Sequence, residues 1–157
     1  MIGVGMQGSG LLSGAITIPG VECVAAADLY DGRHTLAKEI TGNTSLPTTR
    51  HYQELLDRKD IDCIVAAVPD HWHRRVVVDA CNAGKDIYCE KPMSHTVADG
   101  FAMVEAAQKN NRDWRGLDDR AHAGPQRSHW RVGVSAAPRS FTGDSRLGYL
   151  AQRCTQD

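Results

Sequence analysis

Three glycines near the start of the chain and one aspartate further on have a spacing that predicts chemistry. The run Gly3-Val4-Gly5-Met6-Gln7-Gly8 follows the pattern G-x-G-x-x-G, and Asp28 lies twenty residues beyond its last glycine. In such a run the first glycine permits a tight strand-to-helix turn and the second lets backbone approach a pyrophosphate. The third lets the helix pack closely on the strand. A helix opening at 7–9 would point unpaired N–H groups at the phosphates. The run therefore predicts a dinucleotide site; the alternative is a glycine-rich turn of another α/β protein.

The aspartate bears on which dinucleotide would bind. A carboxylate at Asp28, at the end of the next strand, would accept hydrogen bonds from two hydroxyls of the adenosine ribose and would repel a 2′-phosphate. This favours NAD as the cofactor. Arg33 lies five residues further on and could bind a phosphate, so NADP stays as the less favoured alternative.

The elements that must position these residues alternate between strand and helix over residues 1–111. Buried strands are predicted at 1–4 (a stub), 21–27, near Leu46, 62–68 and 86–89. Helices are predicted at 32–41, 51–57, 71–83 and from an N-cap at Thr96, with Gly84 ending the third of them and Asp99 completing a variant capping box. This alternation predicts a doubly wound parallel sheet, a Rossmann fold that is incomplete at its first strand.

The chain changes composition after residue 111. Residues 112–157 contain eight arginines but no lysine, glutamate, isoleucine, methionine or asparagine, and their apolar residues follow neither helical nor strand spacing. We expect little packed structure there, in a tail that is disordered, read out of frame or joined from foreign sequence. A nucleic-acid arm is a weaker hypothesis because five aspartates are interspersed with the arginines.

Composition excludes several classes of partner. A formal charge of −1 over 157 residues gives no electrostatic reason to bind nucleic acid or an anionic membrane. No apolar run approaches the roughly 18 residues that a spanning helix needs. The five cysteines form no C-x-x-C pair, which favours a reducing, cytoplasmic setting, although an export signal could precede the first residue.

Longer motifs give the chain a resemblance to a known family. IGVGMQGSG at 2–10, VAAADLYDGR at 24–33, AAVPDHWH at 66–73 and AGKDIYCEKPMSHTVADG at 83–100 resemble the N-terminal domain of the Gfo/Idh/MocA oxidoreductases. The name comes from glucose–fructose oxidoreductase, inositol dehydrogenase and a rhizopine-catabolism protein. The resemblance covers residues 1–111 and leaves 112–157 without a counterpart. It implies an NAD(P)-binding domain followed, in full members, by a second domain that builds the substrate pocket.

The resemblance implies a role for each matching residue. Gly3, Gly5 and Gly8, with Met6 and Gln7 between them, would contact the pyrophosphate, and Asp28 the ribose. Pro69, Asp70 and His73 match a family turn that lines the dinucleotide, in which Asp70 replaces the more usual asparagine. Glu90, Lys91 and Pro92 match the family signature E-K-P, whose lysine lies between nicotinamide and substrate. The list of predicted cofactor contacts is therefore Gly3, Gly5, Met6, Gln7, Gly8, Asp28, Pro69, Asp70, His73, Glu90, Lys91 and Pro92.

Lys91 is the predicted catalytic residue. A lysine at the carboxyl end of a strand can hydrogen-bond a substrate hydroxyl and stabilise charge that develops during hydride transfer. No metal site is predicted, because the H-x-H pair His71 and His73 has no third ligand at a suitable spacing. The implied reaction is hydride transfer at a hydroxyl carbon of a small sugar or cyclitol. We expect this chain alone to be inactive; the alternatives are a non-enzymatic dinucleotide-binding or interaction module and a non-functional gene fragment.

Overall fold

A parallel sheet flanked by helices forms the domain in the computed structural model, which describes residues 1–116. The strands are β1 (Ala26–Ala27), β2 (Thr48–Thr49), β3 (Cys63–Ala66), β4 (Asp86–Cys89) and β5 (Trp114–Gly116). The helices are α1 (Met6–Ala15), α2 (Asp31–Thr41), α3 (Gln53–Leu56), α4 (Asp70–Asn82) and α5 (Val97–Asn110). The strict alternation of strand and helix predicted from the sequence is confirmed.

Ile2 joins two groups of strands into one sheet. β1 pairs in parallel with β2, and β4 pairs in parallel with both β3 and β5. Ile2 lies between them and bridges in parallel to Ala27 on one side and to Ala66 on the other. The order across the sheet is therefore β2, β1, the segment at Ile2, β3, β4 and β5. This is a doubly wound, all-parallel sheet of the Rossmann type, as predicted.

Apolar residues are buried on both faces of the sheet. On one face Val4, Leu12, Ala26, Ala37 and Leu46 pack together between the sheet and helices α1 and α2. On the other, α4 and α5 pack on β3 and β4. The buried residues there include Val76, Val77 and Cys81 of α4, Ile64 and Ile87 of the strands, and Met103 and Ala106 of α5. Strands covered on both faces must be apolar at nearly every position, which is why 63–68 is a continuous apolar run.

The strand predicted at 21–27 is much shorter than expected. Only Ala26 and Ala27 pair with β2, in register with Thr48 and Thr49. Pro47 precedes β2, and its carbonyl accepts from the Ala26 N–H at 3.0 Å. Because proline has no N–H, it cannot donate the next hydrogen bond, and the pairing of the two strands ends there. The strand predicted near Leu46 lies instead at Thr48–Thr49, and the helix predicted at 51–57 is shortened to Gln53–Leu56.

The predicted stop after α4 and the predicted cap at the start of α5 are confirmed. Gly84 follows α4 with a φ of +75°, and its N–H donates to the Cys81 carbonyl at 3.0 Å, which stops the helix. Thr96 caps α5: its hydroxyl oxygen accepts from the Asp99 N–H at 3.1 Å, and the hydroxyl donates to the Asp99 carboxylate at 2.7 Å. The sequence placed the start of α4 at His71, one residue later than the structure does.

The sheet extends past residue 111, where the sequence suggested that regular structure ends. β5 pairs with β4 at Ile87–Trp114, Tyr88–Arg115 and Cys89–Gly116. Trp114 packs against the core, and the Asp113 N–H donates to the Asp86 carboxylate at 3.0 Å. The expectation of little packed structure is therefore wrong for these three residues. The rest of the predicted tail, 117–157, lies outside the described residues. Within 1–116 no helix is long and apolar enough to cross a membrane.

Candidate dinucleotide site

The predicted site residues come together at one edge of the sheet, the carboxyl ends of the strands. Asp28 follows β1, Pro69 lies three residues beyond β3, and Glu90 follows β4 directly. The glycine run follows the segment at Ile2 and leads into α1. Open α/β sheets bind ligands in the crevice at this edge, where the strand order reverses. That point lies here between the segment at Ile2 and β3.

Two of the three glycines are required by the protein itself. Gly3 has a φ of +81°, and a Cβ at this position would lie 2.3 Å from the Ala67 carbonyl oxygen. A Cβ on Gly8 would lie 2.1 Å from the carbonyl oxygen of Gly3. No real Cβ tolerates such distances to backbone. Gly3 and Gly8 therefore let the turn, the β3 loop and α1 approach one another closely, as their positions in the run predict.

Gly5 differs, because nothing in residues 1–116 requires a glycine there. Its φ and ψ are −67° and −167°, a conformation open to any residue, and a Cβ would meet no heavy atom within 4 Å. Gly5 is the N-cap of α1, and no described side chain caps that helix or places an acidic group in its first turn. Met6 and Gln7 are exposed beside it, with Met6 at 89%. An open helix start with room in front of it can hold an anion.

The Asp28 carboxylate is fixed by two backbone amides. One oxygen accepts from the Val4 N–H at 2.8 Å and the other from the Tyr30 N–H at 3.0 Å. The first bond ties the end of β1 to the middle of the glycine run. Each carboxylate oxygen can accept a further hydrogen bond, so the group keeps capacity for hydroxyl donors. His34 of α2 lies behind it, with Nε2 2.8 Å from the Asp28 carbonyl oxygen.

An ion pair that the sequence analysis missed lies next to Asp28. Arg50 donates from Nε to one oxygen of Asp31 at 3.0 Å and from Nη2 to the other at 2.6 Å. The hydrogen bonds from Arg50 lower the pKa of Asp31. The two residues are 19 positions apart, and only the register of β1 with β2 brings them together. Arg33, the basic residue that the sequence singled out, lies on α2 and is half-buried.

The turn after β3 places Pro69 and Asp70 at the start of α4. Pro69 is the N-cap, with a φ of −57° that its ring favours, and Asp70 is the acidic residue of the first turn. Both are exposed. A carboxylate in this position stabilises the helix dipole, which is sufficient reason for an aspartate there. The predicted contact of these two residues with a dinucleotide stays a prediction.

His73 lies behind the site rather than on its surface. The side chain is fully buried, with Nε2 2.9 Å from the Val68 carbonyl oxygen and Nδ1 2.7 Å from that of Pro92. It connects the loop after β3 to the loop after β4. Because both ring nitrogens already face carbonyl oxygens, His73 holds these loops together from within. The predicted direct contact of His73 with a dinucleotide is not tested by this arrangement.

The E-K-P segment has one exposed and one buried ionisable side chain. Lys91 and Pro92 are exposed, and their peptide bond is cis. Glu90 is 4% exposed, its N–H donates to the Ala66 carbonyl at 2.8 Å, and neither carboxylate oxygen has a hydrogen-bond partner within residues 1–116. A buried carboxylate without partners is costly, so this side chain is the unsatisfied polar group of the site.

The fold and this edge define a Rossmann-type dinucleotide-binding domain. The chain belongs to the Gfo/Idh/MocA oxidoreductase family: the family described as oxidoreductase family, NAD-binding Rossmann fold, matches residues 1–114. The resemblance seen in the sequence motifs is confirmed, and the match ends within β5.

Two relatives are similar to roughly three quarters of the chain. Inositol 2-dehydrogenase of Salmonella paratyphi B is 35% identical over 113 residues, which are 71% of this chain and 33% of that protein. Glycosyl hydrolase family 109 protein 1 of Bacteroides fragilis is 29% identical over 125 residues, 75% of this chain and 27% of that protein. The chain thus spans about a third of the length of the relatives it matches.

Solved structures show the same fold. Myo-inositol 2-dehydrogenase from Lactobacillus plantarum superimposes with a TM-score of 0.65 at 28% identity, covering 73% of this chain and 34% of that one. Scyllo-inositol dehydrogenase from Lactobacillus casei, solved with NAD(H) and scyllo-inositol, gives 0.67 at 20% identity over the same share of both chains. The second likeness supports the fold alone.

Proposed function

We propose that residues 1–116 bind NAD at the carboxyl edge of the sheet, as the cofactor domain of an enzyme that oxidises a hydroxyl group of a cyclitol or small sugar. The pyrophosphate would lie on Gly3, Gly5 and Gly8 with the exposed Met6 and Gln7. The ribose of the adenosine would lie on Asp28. The nicotinamide half of the dinucleotide would be lined by the turn at Pro69 and Asp70 and by the segment Glu90–Pro92.

Gly5 is the observation that carries this proposal. Gly3 and Gly8 are explained by contacts within the protein, but Gly5 has an unstrained backbone and open space in front of it. A ligand that approaches the backbone more closely than a Cβ allows gives this glycine a reason. The uncapped amides of α1 next to it favour a ligand with negative charge, such as a pyrophosphate.

The preference for NAD over NADP rests on Asp28. Its two oxygens are held in place by backbone amides and retain lone pairs for two hydroxyl donors. A 2′-phosphate would bring a second negative charge against a fixed carboxylate. NADP remains the alternative only where a nearby arginine is free to pair with that phosphate.

Lys91 is the residue that we propose to act in the reaction. When bound, a nicotinamide cofactor supplies the hydride acceptor. The exposed Lys91 ammonium, at the end of β4, would hydrogen-bond the hydroxyl that is oxidised and stabilise negative charge on its oxygen. His73 contacts the carbonyl of the next residue, Pro92, and would thereby help to position this lysine.

The substrate class comes from the relatives. Three of the proteins named above are inositol dehydrogenases, and two of them, 35% and 28% identical to this chain, support the substrate class. A cyclitol is therefore the first substrate to test, before sugars. The cytoplasmic location remains a prediction from cysteine usage.

The test is calorimetric titration of the full chain with NAD, comparing Gly5→Ala with Gly10→Ala. A methyl group at Gly5 fits the fold but fills the space that we assign to the pyrophosphate, so NAD affinity should fall about tenfold or more. Gly10 lies on the exposed side of the same helix, also with open space at its Cβ, so Gly10→Ala should keep the affinity of the parent chain. Equal affinities of the two variants would contradict the proposal, as would absence of saturable NAD binding by the folded parent chain.

A further inference from the structure

We infer that the ion pair between Asp31 and Arg50 sets the choice between NAD and NADP. Arg50 is the arginine best placed to bind a 2′-phosphate, and its pairing with Asp31 makes it unavailable for that contact. The inference rests on the proposed function, since it concerns the adenosine end of the same site. It assigns a specificity role to two residues that the sequence analysis did not single out.

Arg50 lies beside Asp28 at the edge of the sheet. Ala27 and Thr49 are register partners on the parallel strands β1 and β2, so Asp28 and Arg50 are the next residues along each chain. The Asp28 N–H donates to the Thr49 carbonyl at 3.1 Å, which continues the pairing to this point. Neighbouring strands lie about 4.8 Å apart. An arginine side chain leaving the sheet here can reach a group bound at the Asp28 carboxylate.

The pair with Asp31 occupies the guanidinium face that a phosphate would use. The contacts are bidentate, at 3.0 Å from Nε and 2.6 Å from Nη2, the geometry in which arginine also binds phosphate. One guanidinium cannot present this face to both anions. While the pair is formed, the ribose end of the site presents two carboxylates, Asp28 and Asp31, and an arginine whose charge is already matched.

The pair is exposed and therefore can be exchanged. The side chains of Arg50 and Asp31 are 57% and 71% exposed. Exposed ion pairs contribute little to folding stability, so removing one partner should leave the domain folded. Once the Asp31 carboxylate is removed, the Arg50 guanidinium is free to pair with a doubly charged phosphate.

The experiment is a double-mutant cycle on the full chain, with NAD and NADP titrated separately at low ionic strength. Asp31→Ala should raise NADP affinity about three- to tenfold relative to NAD, because Arg50 is then free to pair with the 2′-phosphate. In Asp31→Ala/Arg50→Ala the gain should disappear. Arg33→Ala combined with Asp31→Ala is the matched control, and there the gain should persist. Adding 0.5 M salt should reduce the gain in NADP affinity that Asp31→Ala produces.

The outcomes separate this inference from the proposed function. If the parent chain binds NAD and Gly5→Ala weakens it, but Asp31→Ala leaves the NADP to NAD ratio unchanged, this inference is wrong and the proposed function stands. An equal gain in the presence and absence of Arg50 would show that Asp31 acts only by its own charge, which also overturns it. If the folded parent chain binds neither dinucleotide, both fail.

Discussion

The two ends of the candidate site are built in different ways. At the glycine end, Gly3 to Gly8 with Asp28, the protein's own backbone requires the residue types: Gly3 and Gly8 leave no room for a Cβ, and two amides fix Asp28. The lysine end consists of Pro69, His73 and Glu90 to Pro92. There the buried His73 holds two loops together. The Glu90 carboxylate there lacks a hydrogen-bond partner within residues 1–116.

This difference indicates that the glycine end serves dinucleotide binding and the lysine end serves the reaction. At the glycine end two amides hold the Asp28 carboxylate, and the uncapped start of α1 is open to an anion, so this end lacks only a ligand. The lysine end has the exposed Lys91 and the buried Glu90, whose side-chain oxygens none of the described residues hydrogen-bonds. We therefore expect the described domain to bind a dinucleotide without supplying a complete catalytic site.

The largest expected effect follows from that contrast: the purified chain should not oxidise cyclitols or sugars, even where NAD binds. Hydride transfer requires the alcohol carbon at near-attack distance from the nicotinamide and a base within reach of the hydroxyl proton. Positioning alone supplies about 7–11 kcal/mol of barrier reduction, and its loss should bring the rate below detection.

The measurement is absorbance of the reduced cofactor, with myo-inositol, scyllo-inositol and a panel of sugars. Turnover that disappears in Lys91→Ala would contradict the prediction and would mean that the chain, or an assembly of it, builds a complete site. Turnover unaffected by that substitution would indicate a contaminating enzyme.

The next effect concerns the folding of the glycine end. Gly8→Ala places a methyl group 2.1 Å from the Gly3 carbonyl oxygen, so α1 must shift, whereas Gly5→Ala meets open space. Overpacking of this kind costs about 1–3 kcal/mol, occasionally more. We expect urea denaturation to show a loss of that size for Gly8→Ala and a change within about 0.5 kcal/mol for Gly5→Ala. Similar losses in both variants would mean that the two glycines do not differ as the contacts indicate.

A third effect tests the ribose contact. Asp28→Ala should weaken NAD binding by about 1.5–3 kcal/mol, roughly 10- to 150-fold, because hydrogen bonds to a charged acceptor are lost. The same change frees the Val4 and Tyr30 amides, so binding must be compared with thermal unfolding of each variant. The NAD affinity of Asp28→Asn, which keeps one acceptor oxygen, should lie between those of the parent chain and Asp28→Ala. Equal affinity of Asp28→Ala and the parent chain would remove Asp28 from the site.

Local sequence patterns predicted the features that depend on neighbours in the chain. The glycine spacing, the cap at Thr96, the stop at Gly84 and the strand at Asp86–Cys89 follow from backbone chemistry within a few residues. Each was found where expected. The positions of Gly3 and Gly8 were explained in the same way.

Features that depend on register were not predicted. Arg50 reaches Asp31 only because β2 pairs with β1, and His73 reaches Pro92 only because α4 packs behind two loops. β5 was missed because Trp114–Gly116 is too short to show a period, and its pairing partner β4 lies 27 residues earlier in the register Ile87–Trp114. Spacing in the sequence carries no signal for such contacts.

A fourth prediction tests how the lysine end is held. His73→Phe removes both ring nitrogens from the Val68 and Pro92 carbonyls in a fully buried position. Leaving buried acceptors unsatisfied costs about 1–3 kcal/mol, which corresponds to a drop in Tm of about 4–8 °C for each kcal/mol in a domain of about 100 residues. The neighbouring Cys89 reports the local effect. Its thiol is buried, and burial raises its pKa to about 12, so labelling at pH 8 requires the end of β4 to open.

The matched control for that substitution is His71→Phe, an exposed position two residues earlier on α4. We expect it to leave both Tm and the labelling rate of Cys89 close to those of the parent chain. In His73→Phe the rate, followed by peptide mass spectrometry, should rise by more than the global loss of stability explains, because the Pro92 loop loses its tie to the loop after β3. A lower Tm with Cys89 labelling that merely follows global unfolding would mean that His73 stabilises the core without holding the lysine end. An unchanged Tm would mean that the two carbonyl contacts contribute nothing measurable.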